Sequence, residues 1–344
     1  MQFIKPGINI DFIGKRKVAF AFSMLIILIS IAALLMDKGP RYGIDFAGGT
    51  LIQVKFEAPV TIAQIKTGLE SMEVAASAVQ QFGQVHDHEY LIRTDAGISA
   101  MEGLSEALGP RLTETTGVPA EIRRVEMVGP QVGQDLREKA LFAMFYALLF
   151  ITVYISGRFE LKWAKSAIVA ASIMGAVYLL SLFDVSVPFL MLAALVVSLV
   201  IFWFFEFKYA MGAIVALIHD VTITVGLFAI FDKEFTLPIV AALLTIIGYS
   251  LNDTIIVFDR IRENLRKYHK EPLATIVNKS INETLSRTIL TSGTTLVVVG
   301  ALFILGGGII HDFSFALLAG ILIGTYSSVY VASPILLAWQ VRRK

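Results

Sequence analysis

Eight long runs of apolar positions mark the chain, and a stretch with a different rhythm separates the first run from the rest. The runs cover residues 18–36, 140–156, 164–183, 187–205, 210–231, 237–258, 289–305 and 313–337. At 1.5 Å per helical residue each crosses about 30 Å of hydrocarbon, the shortest only just. The first run follows Lys15-Arg16-Lys17. A signal peptide also begins with basic residues before an apolar core. This run, at about 19 residues, exceeds the usual signal core and has no Ala-x-Ala site after it. It predicts an uncleaved membrane helix, and the whole pattern predicts eight spans.

Residues 37–138 form the exception, an insert of about 100 residues that suffices for one small core. Residues 50–56 alternate as a strand does, and 61–72 have helical spacing behind Thr61 as a cap. Residues 76–82 and 89–94 read as paired strands joined by a turn holding His86 and His88, 99–116 as a helix ended by Gly117 and Pro119, and 121–128 as a last strand. The order β-α-β-β-α-β is that of an α+β, ferredoxin-like split βαβ fold. His86 and His88 have no evident third ligand nearby, so a solvated turn outweighs a metal site. The expected organisation is a first span within 1–36, the inserted domain 37–138, a bundle of seven further spans over 139–340 and a tail at 341–344.

Composition fits this reading: 56% of residues are hydrophobic, 17% are charged, and the mean hydropathy is +0.72. The absence of Cys removes disulfides, thiolate metal sites and Cys nucleophiles. A net charge of +1 gives no basic field for nucleic acid, and no Gly-x4-Gly-Lys-Ser/Thr run supports P-loop ATP binding. No nucleophile–base pair or cofactor loop is evident, so the expectation is a protein that is not an enzyme and needs no cofactor. Lys and Arg set the orientation. The amino terminus, Arg158, Lys162, Lys165, Lys208, the 259–288 loop and Arg342-Arg343-Lys344 fall on one side, while the short loops on the other hold only Lys233. Both termini are therefore expected in the cytoplasm and the insert outside, since long loops escape the positive-inside rule.

Four constellations are candidates for function. Just outside the first span lies Tyr42-Gly43-Ile44-Asp45-Phe46-Ala47-Gly48-Gly49-Thr50, where paired glycines permit a tight turn; a plain linker bend is the simpler reading. In the run 237–258, Thr245, Gly248, Tyr249, Asn252, Asp253, Ile256 and Asp259 share about 140° of helical arc. Asp253 lies about 22 Å beyond Pro238, in the inner half of the bilayer. A carboxylate there costs a few kcal/mol unless neutral, hydrated or paired, which makes Asp253 a candidate proton carrier. Thr284, Arg287, Thr288, Thr291, Thr294 and Thr295 share about 120° on the next run, with Arg287 either beside that carboxylate or snorkelling to the interface. His219-Asp220 is an ionisable pair in mid-span. Gly320, Gly324 and Ser328, four residues apart, read as a helix-packing seam.

Gly43-Ile-Asp-Phe-Ala-Gly-Gly-Thr50, Gly248-Tyr-Ser-Leu-Asn-Asp-Thr254 with Asp259-Arg260-Ile-Arg-Glu263, Ser286-Arg-Thr288, Gly324-Thr-Tyr-Ser-Ser328 and Ala332-Ser-Pro334 resemble, over nearly the whole chain, the SecF branch of the SecD/SecF family. The resemblance implies half of a bundle of the resistance-nodulation-division (RND) type, completed by SecD. It implies a multi-pass protein of the cell inner membrane that uses the proton gradient to pull or release exported polypeptide on the outer side. It maps the family's relay Asp onto Asp253 and its membrane Arg onto Arg287. The relay candidates are thus Asp253, Asn252, Arg287, Asp259, His219 and Asp220, with Thr288, Thr291 and Thr295 as the polar face. Asp45, Phe46, Gly48, Gly49, Gly248 and Gly324 are structural motif positions. Implied partners are SecD, the SecYEG translocon, YajC and YidC, unfolded exported polypeptide and membrane lipid. An RND-type exporter of lipids or small molecules, or a scaffold without proton flux, would be the alternative.

The family has six spans where eight are read here. Residues 159–170 align without gaps with 205–216, a repeat offset by 46 residues, so the pair within 158–205 reads as a tandem duplication. In that copy Ile173-Met174 stand opposite His219-Asp220, and, after a four-residue gap that brings Pro188 under Pro238, Phe202-Trp203 opposite Asn252-Asp253. The extra pair lacks both candidate proton-handling pairs.

Overall fold

A computed structural model describes residues 8–36, 39–72, 76–82, 85–94, 104–182 and 186–341. The first membrane helix, α1 (Arg16–Met36), leads into a single turn, α2 (Ile44–Ala47), and then into the outer domain. There β1 (Gly49–Phe56), α3 (Ile62–Glu70), β2 (Ala76–Phe82), β3 (Glu89–Thr94), α4 (Leu104–Thr116) and β4 (Ala120–Val128) follow. The sheet order is β2-β3-β1-β4 with every neighbouring pair antiparallel, so each helix crosses over one intervening strand, as a split βαβ arrangement requires. β1 and β3 alternate buried and half-buried residues. Their buried side, Ile52, Val54, Phe56, Tyr90 and Ile92, packs on Ile65 and Leu69 of α3 and Leu108 and Leu112 of α4. Thr61 and Gln64 form a reciprocal capping box at the start of α3. His86 and His88 sit in and beside a short 3₁₀ turn, and no cluster able to hold a metal occurs among the described residues. The interval 95–103, with the start of the expected helix 99–116, lies outside the described residues.

Helices then follow without interruption: α5 (Pro130–Glu160), α6 (Trp163–Ser181), α7 (Val187–Phe204), α8 (Lys208–Ile230), α9 (Leu237–Lys267), α10 (Leu273–Leu305) and α11 (Gly308–Ser327), a π turn (Ser328–Ala332) and α12 (Ser333–Val341). Residues 130–138, grouped with the insert by the sequence pattern, are already the first turns of α5. Among the described residues seven helices are long and apolar enough to cross a membrane, not eight. The exception is α7, whose apolar stretch, Pro188–Phe204, is shorter than the other seven. Surfaces rich in exposed Phe, Leu, Ile and Val, such as Phe20 and Leu25 on α1 or Val297 and Ile304 on α10, suit a lipid solvent.

α8, α9 and α11 form the centre of the bundle. α9 and α11 approach closely because Gly320 faces Ile246 and Gly324 faces Ser250: a Cβ on Gly324 would lie 2.8 Å from the Ser250 Cβ. α1 packs on α8, and α10 on α9 and α11. The pair α6–α7 packs on α5 and α8 at the side, burying Phe145, Leu149, Ala170, Ile173, Val177 and Leu190. Phe159 and Glu160, from the first copy of the repeat, reach the start of α8. Phe159 stacks on Tyr209 at 5.2 Å, and the Tyr209 N–H donates to Glu160 Oε1 at 2.9 Å. The second copy's Phe205 is half exposed. Removing 159–204 therefore keeps the α5–α8 junction, because Phe205-Glu206 take over from Phe159-Glu160. We expect that deletion protein to insert in membranes and to show a thermal unfolding midpoint in detergent within a few degrees of the full chain. Loss of the folded bundle would show that the pair supports the core.

Candidate functional site

Two carboxylates lie inside the bundle. α9 begins at Leu237-Pro238, a favourable helix start, and its buried face carries Ser250, Asp253, Thr254 and Val257. Asp253 is 1% exposed. Its Oδ2 accepts a bond from Ser292 Oγ of α10 at 3.2 Å, and Ser292 is in turn 2.8 Å from Thr325 Oγ1 of α11. Its Oδ1 is buried and accepts no hydrogen bond from the described residues. Such an oxygen is costly as an anion and unexceptional as a protonated carboxyl.

Asp220 of α8 is fully buried and differently placed. Oδ1 lies 2.8 Å from His219 Nδ1, while Oδ2 accepts from Ser250 Oγ of α9 at 2.6 Å and from Ser327 Oγ of α11 at 2.8 Å. His219 Nε2 is 3.1 Å from Ser23 Oγ of α1, which reaches Tyr326 OH at 3.2 Å. Tyr326 stacks on the imidazole and donates to the Ala19 carbonyl at 2.7 Å. Four helices meet at this carboxylate and its histidine. Ser250, one turn before Asp253 on α9, places the two acidic groups on adjacent turns.

The arc read on α9 divides in the structure. Asp253 faces inward, whereas Thr245, Gly248 and Asn252 are exposed. No atom outside α9 lies within 4 Å of a Cβ built on Gly248. On α10, Thr288 is buried with its hydroxyl unpartnered, Thr291 donates to its own helix at the Arg287 carbonyl, and Thr295 accepts from Tyr249 OH at 3.2 Å. Arg287 is exposed and forms no ion pair among the described residues. The residue of α10 that bonds Asp253 is Ser292, five residues further along. Asn252, Ile256, Asp259, Glu283, Thr284 and Arg287 instead line an open cleft of about 590 Å³. Asp259 pairs with Arg158 of α5 at 2.6 Å, both half exposed, and takes no part in the Asp253 cluster.

The glycine motif is a joint rather than a simple bend. Gly48 and Gly49 adopt φ of 76° and 110°, and a Cβ on Gly48 would lie 2.8 Å from the Pro130 Cα. Phe46 is buried against Phe235 and Ile239. Asp45 Oδ2 accepts from the Leu237 N–H at 2.8 Å, so the motif caps the helix that carries Asp253.

Ser23 and Ser292 stand in no motif of the sequence, and Ser250, Thr325, Tyr326 and Ser327 stand inside two quoted motifs with no role assigned to them. Nothing in their spacing distinguishes a hydroxyl that crosses between helices from one that bonds its own backbone, as Thr294 does to Leu290.

The family model described as Protein export membrane protein SecD/SecF, C-terminal, matches residues 109–195 and again 175–342, and the SecD/SecF GG Motif matches 33–60. The two longer matches overlap within the extra helical pair, as a repeated segment would make them. Protein translocase subunit SecF of Magnetococcus marinus is 43% identical across 98% of this chain and 94% of its own length. The subunit of the same name from Vibrio alginolyticus is 40% identical across 100% and 94%. The crystal structure of SecDF from Thermus thermophilus, a translocon-associated membrane protein, superposes with a TM-score of 0.72 at 30% identity. SecDF in its super-membrane-facing form gives 0.59, also at 30%. This chain is covered over 99% and 100% of its length in the two cases, but spans only 40% of each SecDF chain.

Proposed function

The chain belongs to the SecD/SecF family of protein-export membrane proteins, and from that premise we propose that it uses proton entry at Asp253 to drive the SecF half of a SecD–SecF pair. As a multi-pass SecF homologue it serves as an accessory to Sec protein export. The finer reading places it in the cell inner membrane with both termini in the cytoplasm. There it acts beside SecYEG, with YajC and YidC as further contacts, and helps exported polypeptide move or leave on the outer side.

The observation that carries this reading is the unpartnered Oδ1 of Asp253, buried in the bundle. A proton supplies what the surrounding side chains do not. The exposed polar face beside it, with Asn252, Thr294 and Arg287, is costly against lipid and suits cover by a second bundle. SecD fills that place in the proposal, and Arg287 then biases the nearby carboxyl toward release as the two halves shift. Asp220 has a different part. Its oxygens already take three donors, so it holds α8, α9 and α11 in register while Asp253 exchanges.

Proton flux into vesicles tests this. We expect a gradient-driven flux with the chain and SecD together and none with the chain alone. Equal flux without SecD would favour an autonomous transporter.

A further inference from the structure

The outer domain meets the bundle around the α8–α9 loop, with a second contact where the Phe82 ring of β2 lies against Gly308 at the start of α11. The Gly43 N–H donates to the Phe235 carbonyl at 3.0 Å, and the Phe235 N–H donates to Arg41 O. Arg93 Nη1 of β3 donates to Tyr42 O at 2.7 Å and approaches Glu234 Oε1 at 3.7 Å. Arg93 and Glu234 are 18% and 17% exposed, an ion pair largely removed from water. A cleft of about 720 Å³ between sheet and bundle runs past Glu234.

We propose that this joint is a proton-sensitive clasp: neutral Glu234 favours the domain seated on the bundle, and ionised Glu234 loosens it about the Gly48–Gly49 turn. Ionised Glu234 is paired in the seated state at a long 3.7 Å, whereas neutral Glu234 still leaves the Arg93 guanidinium its bond to Tyr42 O at 2.7 Å. Glu234 lies outside the membrane helices, and burial pushes its carboxyl above the ordinary value of 4.5, although Arg93 and then Arg41 oppose the shift and Asp312 adds to it. The direction fixes the sign. A group that binds its proton more tightly in the seated state stabilises that state at low pH, and the support is lost as pH rises through the raised value. The ratio of seated to loosened protein should fall by up to tenfold per pH unit across the interval between the two values.

The other charged groups at the joint are already engaged or stand further off. From the segment before α2, Arg41 pairs with Asp232. From α11, Asp312 takes Lys233, with His311 Nδ1 at 3.2 Å. From α5, Arg137 lies over the Tyr42 ring. Asp45 caps Leu237, and Asp87, Arg124 and Glu126 face the far side of the cleft. Of these, His311 carries the imidazole, and its variant is the control for a competing sensor.

The clasp is independent of exchange at Asp253 and is tested without export. The chain has no Cys, so Lys66→Cys on α3 and Ile309→Cys at the outer end of α11 accept a single pair of spin labels. Distances measured in lipid nanodiscs from pH 8 to pH 5 should shift toward the seated population as pH falls. Glu234→Gln and Glu234→Ala should stay seated at every pH and lose the dependence, whereas His311→Gln should keep it. A loosened Glu234→Gln protein would show that the ionised pair with Arg93 holds the joint. A flat wild-type profile, or one abolished by His311→Gln, would equally overturn the clasp at Glu234.

Discussion

Asp253→Asn is expected to reduce gradient-stimulated export to the level seen without a gradient, while insertion and pairing with SecD persist. Asparagine keeps the size of the side chain, and its Oδ1 still accepts the Ser292 hydroxyl now bonded at 3.2 Å. What it removes is the exchangeable proton. The folded bundle should stay intact, because the amide that replaces the unpartnered Oδ1 strands its donors but is never ionised. Ser292→Ala provides the complementary variant. It leaves Asp253 titratable but deprives it of the Ser292 hydroxyl bond, so gradient-driven export should persist with an altered pH dependence. The measurement is export into inverted vesicles with and without a proton gradient. Wild-type stimulation by Asp253→Asn would leave the chain as a scaffold.

Much of the fold is legible in the sequence because burial imposes a period. The strands at 76–82 and 89–94 have the bounds read from alternation, since one side of the sheet is covered by α3 and α4 and the other is not. Apolar runs locate the hydrocarbon-crossing part of each helix but not its ends. α5 starts at Pro130 and α9 continues to Lys267 because a helix persists into water, where polar residues are no obstacle. The run 313–337 is broken by the π turn at 328–332. Pro334 lacks the N–H that the helix ladder needs, and Ser333 Oγ donates to Ser328 O at 2.8 Å there. At the site, Asp253, Asp220 and His219 stood out because ionisable groups are rare in apolar helices. Their partners did not, because serine is ordinary in such helices and only the crossing of α9 with α11 at Gly324 makes Ser250 and Ser327 converge on one carboxylate. The pattern leaves Arg287 either beside Asp253 or at the interface; the register between α9 and α10 brings Ser292 against the carboxylate, with Arg287 five residues before it.

That convergence sets the second large effect. Asp220→Leu should prevent the bundle from holding α8, α9 and α11 together, whereas Asp220→Asn should preserve it. Leucine fills the volume but strands His219 Nδ1 and two serine hydroxyls, all buried at 4% exposure or less. Each stranded donor costs about 1–3 kcal/mol, reduced where a serine falls back on its own helix, as Ser327 already does toward Gly324 O at 3.1 Å. The sum, about 3–5 kcal/mol, is a large part of a domain's stability. Asparagine retains an acceptor for Ser250 and Ser327, and its amide can donate to His219 Nδ1. The imidazole then turns its N–H toward Ser23, which is 3.1 Å from Nε2. Thermal unfolding in detergent separates the two variants, and vesicle export tests what the survivor does. A folded Asp220→Asn protein with normal gradient stimulation assigns Asp220 to holding the helices. Should it fold and yet lose that stimulation, the proton would have to visit Asp220 as well, reaching it through Ser250 from the adjacent turn that carries Asp253.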